Sequence, residues 1–76
     1  MERRGLSESI VRTVVEGPEQ RLMERAGREV FQSRIGLGGG GRPFLVRVVV
    51  DVDRTPADIV TAYRTSNIGR YWREDP

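Results

Sequence analysis

The sequence predicts a small α+β domain, in which one N-terminal helix packs on a four-stranded antiparallel sheet and a short C-terminal helical turn follows. Two observations support this fold class. Apolar residues near the N-terminus recur at four-residue spacing, which is typical of an amphipathic helix. Apolar residues then alternate without exception at the even positions of residues 44–52, which is typical of a strand with one buried face.

The first element is predicted to be a helix over residues 7–16. Ser7 is a favourable N-cap, and Glu8 places a carboxylate in the first turn, where the helix dipole favours negative charge. Gly17 and Pro18 are expected to end the helix. The apolar stripe consists of Leu6, Ile10, Val11, Val14 and Val15.

Strands are predicted over residues 20–24, 28–35, 44–52 and 59–63. A glycine-rich stretch, residues 36–41, separates the second strand from the third. It lacks the lysine and hydroxyl of a phosphate-binding loop, so a hairpin connection is the favoured interpretation. In the third strand the even positions are expected to face the helix. Its odd positions mix leucine and valine with Arg47 and Asp51, so the opposite face is half polar and able to accept a ligand.

Local signals conflict in the fourth strand. Thr55 and Pro56 are typical of a helix start, with threonine as N-cap and proline in the first turn. The β-branched and aromatic residues that follow favour a strand, which can pair with the valine-rich third strand. We therefore predict a strand. Residues 66–72 are predicted to form a short helical turn, capped by Ser66, with Tyr71 and Trp72 packing inward.

Composition limits the classes of function. The chain has 76 residues, enough for one domain over 1–76, and only 37% are hydrophobic. Such a core is marginal, so a homodimer or a partner chain is expected to cover apolar surface. Cysteine and histidine are both absent, which excludes disulfides, thiolate metal sites and histidine bases. Asp51 and Asp53 have no third acid nearby, and we predict no metal site and no cofactor.

All thirteen basic residues are arginine, while the net charge is only +2. GC-rich coding bias is the favoured explanation for an all-arginine set, so this composition permits contact with RNA without requiring it. No signal peptide is recognised at the N-terminus. The longest apolar stretch, residues 44–52, is interrupted by Arg47 and too short to cross a bilayer. A cytoplasmic location without membrane contact is expected.

Residues 61–66 combine one tyrosine, one arginine and hydroxyl side chains. Such a set can stack on a base, hold a phosphate and donate hydrogen bonds to RNA. In a ribonuclease without histidine, Arg64 would stabilise the extra charge on phosphorus and Tyr63 would transfer a proton. A structural alternative stays open: Tyr63 belongs to the core, Arg64 pairs with Asp51 or Glu29, and Thr65 and Ser66 cap the last turn.

The sequence also resembles a widespread bacterial family, domain-of-unknown-function family four-two-five-eight, whose members are often described as toxin-like. The similar segments are residues 3–7, 14–19, 46–51, 60–68 and 71–72, and the most specific of them is the ending TAYRTS-x-I-x-x-YW. Family members often have further residues, with a histidine, ahead of the segment 3–7. If that histidine is catalytic, this sequence predicts a shortened or non-catalytic member.

The resemblance implies a helix followed by a four-stranded antiparallel sheet, similar to the RelE/barnase-like ribonuclease folds. It also implies a toxin of a toxin–antitoxin pair, with RNA and an antitoxin protein as partners. Transferred by position, the residues on the open sheet face are Arg47, Tyr63, Arg64, Thr65 and Ser66, with Arg28 and Arg34 on the neighbouring strand.

These observations lead to one expected function and one alternative. The expected function is metal-independent RNA binding or cleavage, with Arg64 and Arg47 holding phosphate and Tyr63 stacking on a base or transferring a proton. Arg28, Arg34, Thr65 and Ser66 are then the further RNA-binding residues. The alternative is a non-catalytic interaction module, which forms a homodimer or binds a partner through a sheet face or edge.

Overall fold

The computed structural model describes residues 5–36 and 43–73. In chain order the elements are α1 (Glu8–Glu16), β1 (Gln20–Arg25), β2 (Arg28–Ile35), β3 (Phe44–Asp51), β4 (Asp58–Thr65) and α2 (Ile68–Tyr71). The strands form one antiparallel sheet in the order β1-β2-β3-β4, so each strand pairs with its neighbour in sequence. The predicted α+β class is confirmed. Most of the glycine-rich connection, residues 37–42, lies outside the described residues.

Helix α1 begins where the sequence predicts. The Oγ atom of Ser7 accepts a hydrogen bond from the Ile10 amide at 3.2 Å, and the Gly17 amide donates to the Thr13 carbonyl at 3.1 Å. One face of α1 lies against the sheet and buries Val11 and Val14. The other buried residues of this core are Leu6, Phe31, Phe44, Val46, Val48, Val50 and Ala62. The even positions of β3 therefore face the helix, as predicted.

Strand β4 confirms that the β-branched residues outweigh the helix-start signal. It pairs with β3 along most of its length, with Ala62 opposite Val48 and Tyr63 opposite Arg47. The register shifts between Val49 and Val50, so that Val60 is an extra residue in β4. A β-bulge of this kind changes which side chains face the helix on either side of it. Beyond the bulge, Ile59 packs against the core on the helix side.

The second face of the sheet is covered by residues 67–73, here named the C-terminal segment. Leu45 and Gln32 belong to that face, yet both are 0% exposed. The prediction of an open face is therefore wrong for the middle of the sheet. Ser66 does not cap α2. The N-cap residue is Asn67, whose amide donates to Thr65 Oγ1 at 3.1 Å. In the described part of the chain, neither helix has the length and apolar character needed to cross a membrane.

Candidate functional site

A row of polar side chains crosses the second face of the sheet from edge to edge. The antiparallel register places Gln20 of β1 opposite Gln32 of β2, Gln32 opposite Arg47 of β3, and Arg47 opposite Tyr63 of β4. Directly opposite residues share one face of an antiparallel sheet. These four residues, named here the polar row, are therefore neighbours although 43 positions of sequence separate the first from the last.

Hydrogen bonds join the polar row into one network. Arg47 Nη1 donates to Tyr63 Oη at 2.6 Å, and Arg47 Nε donates to Gln32 Oε1 at 2.9 Å. Gln32 Nε2 in turn donates to Gln20 Oε1 at 2.7 Å. Gln32 is fully buried, and both ends of its amide group are bonded, which removes the desolvation cost of an unpaired polar group. The network fixes the orientation of the Arg47 guanidinium.

The C-terminal segment lies directly on this network. The carbonyl oxygen of Tyr71 accepts a hydrogen bond from Gln32 Nε2 at 3.2 Å. The Arg73 amide donates to Gln20 Oε1 at 3.0 Å, and Gln20 Nε2 donates to the Arg73 carbonyl. The Tyr71 ring centroid lies 4.3 Å from Arg47 Cζ. The polar row therefore binds the backbone of the segment, while an arginine stacks on its side chain.

Among the described residues, no acid pairs with the positive charge of Arg47. The ion pairs of the described residues are Arg12–Glu8, Arg21–Glu29, Arg34–Glu19 and Arg54–Asp58, and none of them includes Arg47. Arg47 is half-buried between the rings of Tyr63 and Tyr71, at 5.8 and 4.3 Å from their centroids. Ring faces stabilise a cation only partly. A half-buried guanidinium without a carboxylate is a favourable place for an anion to bind.

Three more arginines lie around the C-terminal segment. Arg34 stacks on Trp72, with its Cζ atom 4.2 Å from the ring centroid, while Arg70 and Arg73 belong to the segment itself. In this neighbourhood the described residues contribute Glu19 as a carboxylate, and Glu19 pairs with Arg34. Among the described residues, the charge around the segment is therefore positive, although the whole chain carries only +2. We name the polar row, these arginines and the two stacked rings the arginine–aromatic site.

The structure brings only some of the predicted site residues together. Arg47 and Tyr63 are in direct contact, and Arg34 and Thr65 lie on the same face, opposite Leu45 in the strands on either side. Arg28 is also on this face, but it is four residues from Gln32 along β2, or about 13 Å. It instead lines a shallow pocket beside Asp51 and Asp53 at the far end of the sheet.

Arg64 lies on the opposite face of the sheet from Arg47 and Tyr63. It pairs with Val46 in the register, and its Cζ atom is 5.3 Å from the ring centroid of Phe44. Because successive strand residues point to opposite faces, Tyr63 and Arg64 cannot line one surface. The expectation that Arg64 joins them is corrected by this register. Ser66 follows the end of β4 and is exposed.

Sequence reasoning missed six residues of the site on the second face: Gln20, Gln32, Arg70, Tyr71, Trp72 and Arg73. The two rings were expected to pack inward, but only as anchors of the core. Gln20 and Gln32 gave a weak signal, since each falls at a position of its strand whose side chain shares a face with Arg47. Neutral amides are mostly surface residues, so their position alone does not indicate a buried network.

A second concavity lies on the other side of the sheet, between α1 and β4. It has a volume of about 240 Å³ and is lined by Glu8, Val11, Arg12, Val15, Glu16 and Ile59. Its floor is apolar and its charged residues lie on the exposed face of the helix. This groove does not connect with the arginine–aromatic site, because α1 and the C-terminal segment lie on opposite faces of the sheet.

The ion pair beneath Trp72 makes part of the stability depend on pH. Glu19 Oε2 lies 3.2 Å from Arg34 Nη2, and Glu19 Oε1 accepts from the Arg34 amide at 2.7 Å. The side-chain hydrogen bond, followed by the backbone one, lowers the pKa of Glu19 below its ordinary value. Because the folded-state pKa is the lower one, this stabilisation is present above the ordinary pKa and is lost as the pH falls through the lowered value.

We expect Glu19→Gln to reduce the free energy of unfolding at about pH 7, by no more than about 1 kcal/mol because the pair is exposed. Near pH 3 the difference between the variant and the parent protein should shrink, since Glu19 is then protonated in the unfolded state and part of the stabilisation of its charged form is lost. Urea denaturation at the two pH values measures this. Glu24→Gln, at an exposed position of β1, is the control. A difference that stays the same at both pH values would contradict the assignment.

The arginine–aromatic site is the feature of this fold with the clearest chemical character, combining positive charge, aromatic rings and oriented amide groups. Its residues come from all four strands and from the C-terminal segment, so no short stretch of sequence encodes it. Comparison of the chain with protein-family models, with curated proteins and with solved structures finds no match in any of the three.

Proposed function

We propose that this chain is a toxin-like domain that binds RNA, or cleaves it without a metal ion, through the arginine–aromatic site. The observation that carries the proposal is the half-buried Arg47 guanidinium, which lacks a carboxylate partner among the described residues and is oriented by Gln32 and Tyr63. In this proposal the protein acts in the cytoplasm as part of a toxin–antitoxin type system, and an antitoxin protein controls it.

Phosphate is the anion that this arrangement favours. Arg47 uses Nε and one N–H of Nη1 within the polar row. Its Nη2 group and the second N–H of Nη1 have no acceptor among the described residues, and they point along one edge of a planar fork. Such an edge matches two oxygens of a phosphate, and charge-assisted bonds of this kind are about twice as strong as neutral ones.

A polynucleotide fits the site better than an isolated phosphate does. Arg34 is a diagonal neighbour of Arg47, because Arg34 lies opposite Leu45 while Arg47 lies opposite Gln32. Diagonal neighbours on adjacent strands are about 7–8 Å apart. A strand that follows this face would therefore pass Arg47 and then Arg34, whose guanidinium also bonds Glu19. Tyr63 adds a ring surface of the type on which unpaired bases stack.

The same site contains the groups for metal-independent cleavage. In that reaction the ribose 2′-oxygen forms a bond to phosphorus, the bond to the 5′-oxygen breaks, and a proton passes from the 2′-hydroxyl to the leaving oxygen. Arg47 would stabilise the extra negative charge on phosphorus in the transition state. Tyr63 Oη, 2.6 Å from Arg47 Nη1, is the hydroxyl placed to transfer the proton.

Arg47→Met tests the proposal, because methionine keeps much of the side-chain length and removes the charge. We expect the variant to bind an unstructured RNA oligonucleotide roughly tenfold more weakly than the parent protein. The slope of log K against log salt concentration should also fall by roughly 0.7, the value for one phosphate contact in a single strand. Fluorescence anisotropy with labelled RNA, with EDTA present, measures both, and gel analysis of the same samples detects cleavage.

Arg12→Ala is the matched control, since Arg12 is exposed on α1, on the other side of the sheet. It should leave the affinity unchanged, and circular dichroism should show the folded state for each variant. A loss of binding with Arg64→Ala instead of Arg47→Met would contradict the assignment to this face. Cleavage by the parent protein that Arg47→Met and Tyr63→Phe both lose would identify a ribonuclease.

The interaction module is the alternative that the same measurements can select. One outcome would refute the RNA proposal and favour the interaction module: the protein neither binds nor cleaves RNA, and it elutes as a stable dimer in size-exclusion chromatography. A partner would then cover apolar surface that this small core leaves exposed. The described residues include Met23, which is 75% exposed on the outer strand β1.

A further inference from the structure

We infer that the C-terminal segment occupies the polar row and Arg34 as an internal substitute for RNA, and that single-stranded RNA displaces the segment on binding. This inference rests on the proposed function and concerns the regulation of the same site. Its starting point is that the segment covers the polar row that the proposal assigns to RNA, since Gln32 is 0% exposed and Arg47 is only half-exposed.

Four contacts of the segment with the sheet have counterparts in a nucleotide strand. The Tyr71 ring lies over the Arg47 guanidinium and the Trp72 ring over that of Arg34, as stacked bases would. The carbonyl oxygens of Tyr71 and Arg73 accept hydrogen bonds from side-chain amides of the polar row, as phosphate or base oxygens would. The segment therefore uses the recognition groups that an extended strand with alternating rings and acceptors requires.

The segment is held by contacts that can open without unfolding the domain. Helix α2 has only four residues and buries none of them, and its N-cap Asn67 makes no side-chain capping bond. Tyr71 and Trp72 are half-buried. By contrast, the helix-side core contains residues with no exposure at all, including Val14, Val46 and Val48. Segments with few buried apolar contacts open at a free energy well below that of global unfolding.

Opening the segment would free several donors at once. Gln32 Nε2 would lose its acceptor, the Tyr71 carbonyl, and Gln20 Nε2 would lose the Arg73 carbonyl. The face of the Arg47 guanidinium that the Tyr71 ring covers would be exposed. A ligand that binds only the open state has its apparent affinity reduced by the fraction of open molecules. Weakening the segment should therefore strengthen RNA binding, whereas removing an RNA-binding residue should weaken it. The direction of the change separates the two roles.

Tyr71→Ala is the decisive variant, because it removes the ring over Arg47 and leaves the polar row intact. We expect it to bind the same unstructured RNA about three- to fivefold more tightly than the parent protein, the factor that corresponds to one partly exposed cation–π contact. Weaker binding by Tyr71→Ala would overturn the inference and make Tyr71 a stacking residue of the RNA site. No binding by either protein would instead refute the proposed function.

Trp72 reports the position of the segment, since it is the only tryptophan in the sequence. Displacement predicts that RNA shifts the emission of the parent protein to longer wavelength, as the ring leaves Arg34 for water. Quenching without a shift would mean that RNA stacks on Trp72 in place, and would contradict displacement. The RNA must contain no fluorescent base, and a Trp72→Phe protein provides the background signal.

Hydrogen exchange of the free protein gives a test that needs no RNA. The Arg73 amide donates to Gln20 Oε1, so its exchange rate reports opening of the segment. We expect this amide to exchange at least tenfold faster than that of the fully buried Val48 in the centre of the sheet. Equal protection at both positions would show that the segment opens only with global unfolding, and would overturn the inference.

Discussion

Replacing Leu45 with alanine is expected to lower the free energy of unfolding by about 3 kcal/mol. Leu45 is 0% exposed and is the largest fully buried side chain in the described residues. It lies on the second face of the sheet, between Arg34 of β2 and Thr65 of β4. The loss combines the transfer energy of the removed carbons with the cavity that they leave, since polar neighbours cannot collapse into it.

A loss of this size is a large part of the total free energy of unfolding of the protein. A chain of this length has a stability of about 4–11 kcal/mol at 0.05–0.15 kcal/mol per residue. The melting temperature should fall by roughly 10–20 °C. Urea and thermal denaturation followed by circular dichroism measure both. Met23→Ala, at the most exposed large apolar residue of the described ranges, is the control and should change the stability by less than about 0.5 kcal/mol. Equal effects of the two substitutions would show that the second face is not a packed layer.

The sequence predicted the elements well because their signals are local and periodic. The valines of β3 fall on one side of a strand whatever surrounds them, and the apolar residues of α1 form a stripe at helical spacing. These patterns state which faces must be buried. They also resolved the conflict in β4, because a β-branched stretch beside a valine-rich strand has a partner for its backbone hydrogen bonds, whereas an isolated turn of helix has none.

The candidate site was harder to predict because it depends on contacts distant in sequence. Gln20 and Arg73 are 53 residues apart and bond through an amide and the backbone, an arrangement with no periodic signal. The face on which Arg64 lies, by contrast, could have been predicted from the sequence. Alternation along a strand already separates it from Tyr63, so the sequence contained that information. Treating residues 61–66 as one set, and then transferring them by resemblance, grouped adjacent residues that the pleat places on opposite faces.

Gln32→Leu is expected to destabilise the protein by about 2–3 kcal/mol, although it replaces a buried polar residue with an apolar one of similar size. Area arguments alone predict the opposite sign, because Gln32 is 0% exposed and leucine gains more from burial. The hydrogen-bond network decides whether the substitution stabilises or destabilises the protein. Leucine would leave Arg47 Nε and the Tyr71 carbonyl without their Gln32 partners. Gln20 Oε1 would lose the hydrogen bond that it accepts from Gln32 Nε2.

Ser33→Ala is the matched control for this substitution. Ser33 is the adjacent buried polar residue of β2, it points to the helix side, and its Oγ accepts a single hydrogen bond, from the Glu19 amide at 2.9 Å. Its loss should cost about 1 kcal/mol. Gln32→Leu should therefore be the more damaging of the two, and it should also shift Trp72 emission to longer wavelength as the C-terminal segment loosens. A Gln32→Leu protein as stable as its parent would mean that Gln32 does not hold the segment, and that the bonds of Gln20 to Arg73 and stacking on Arg47 and Arg34 keep it in place.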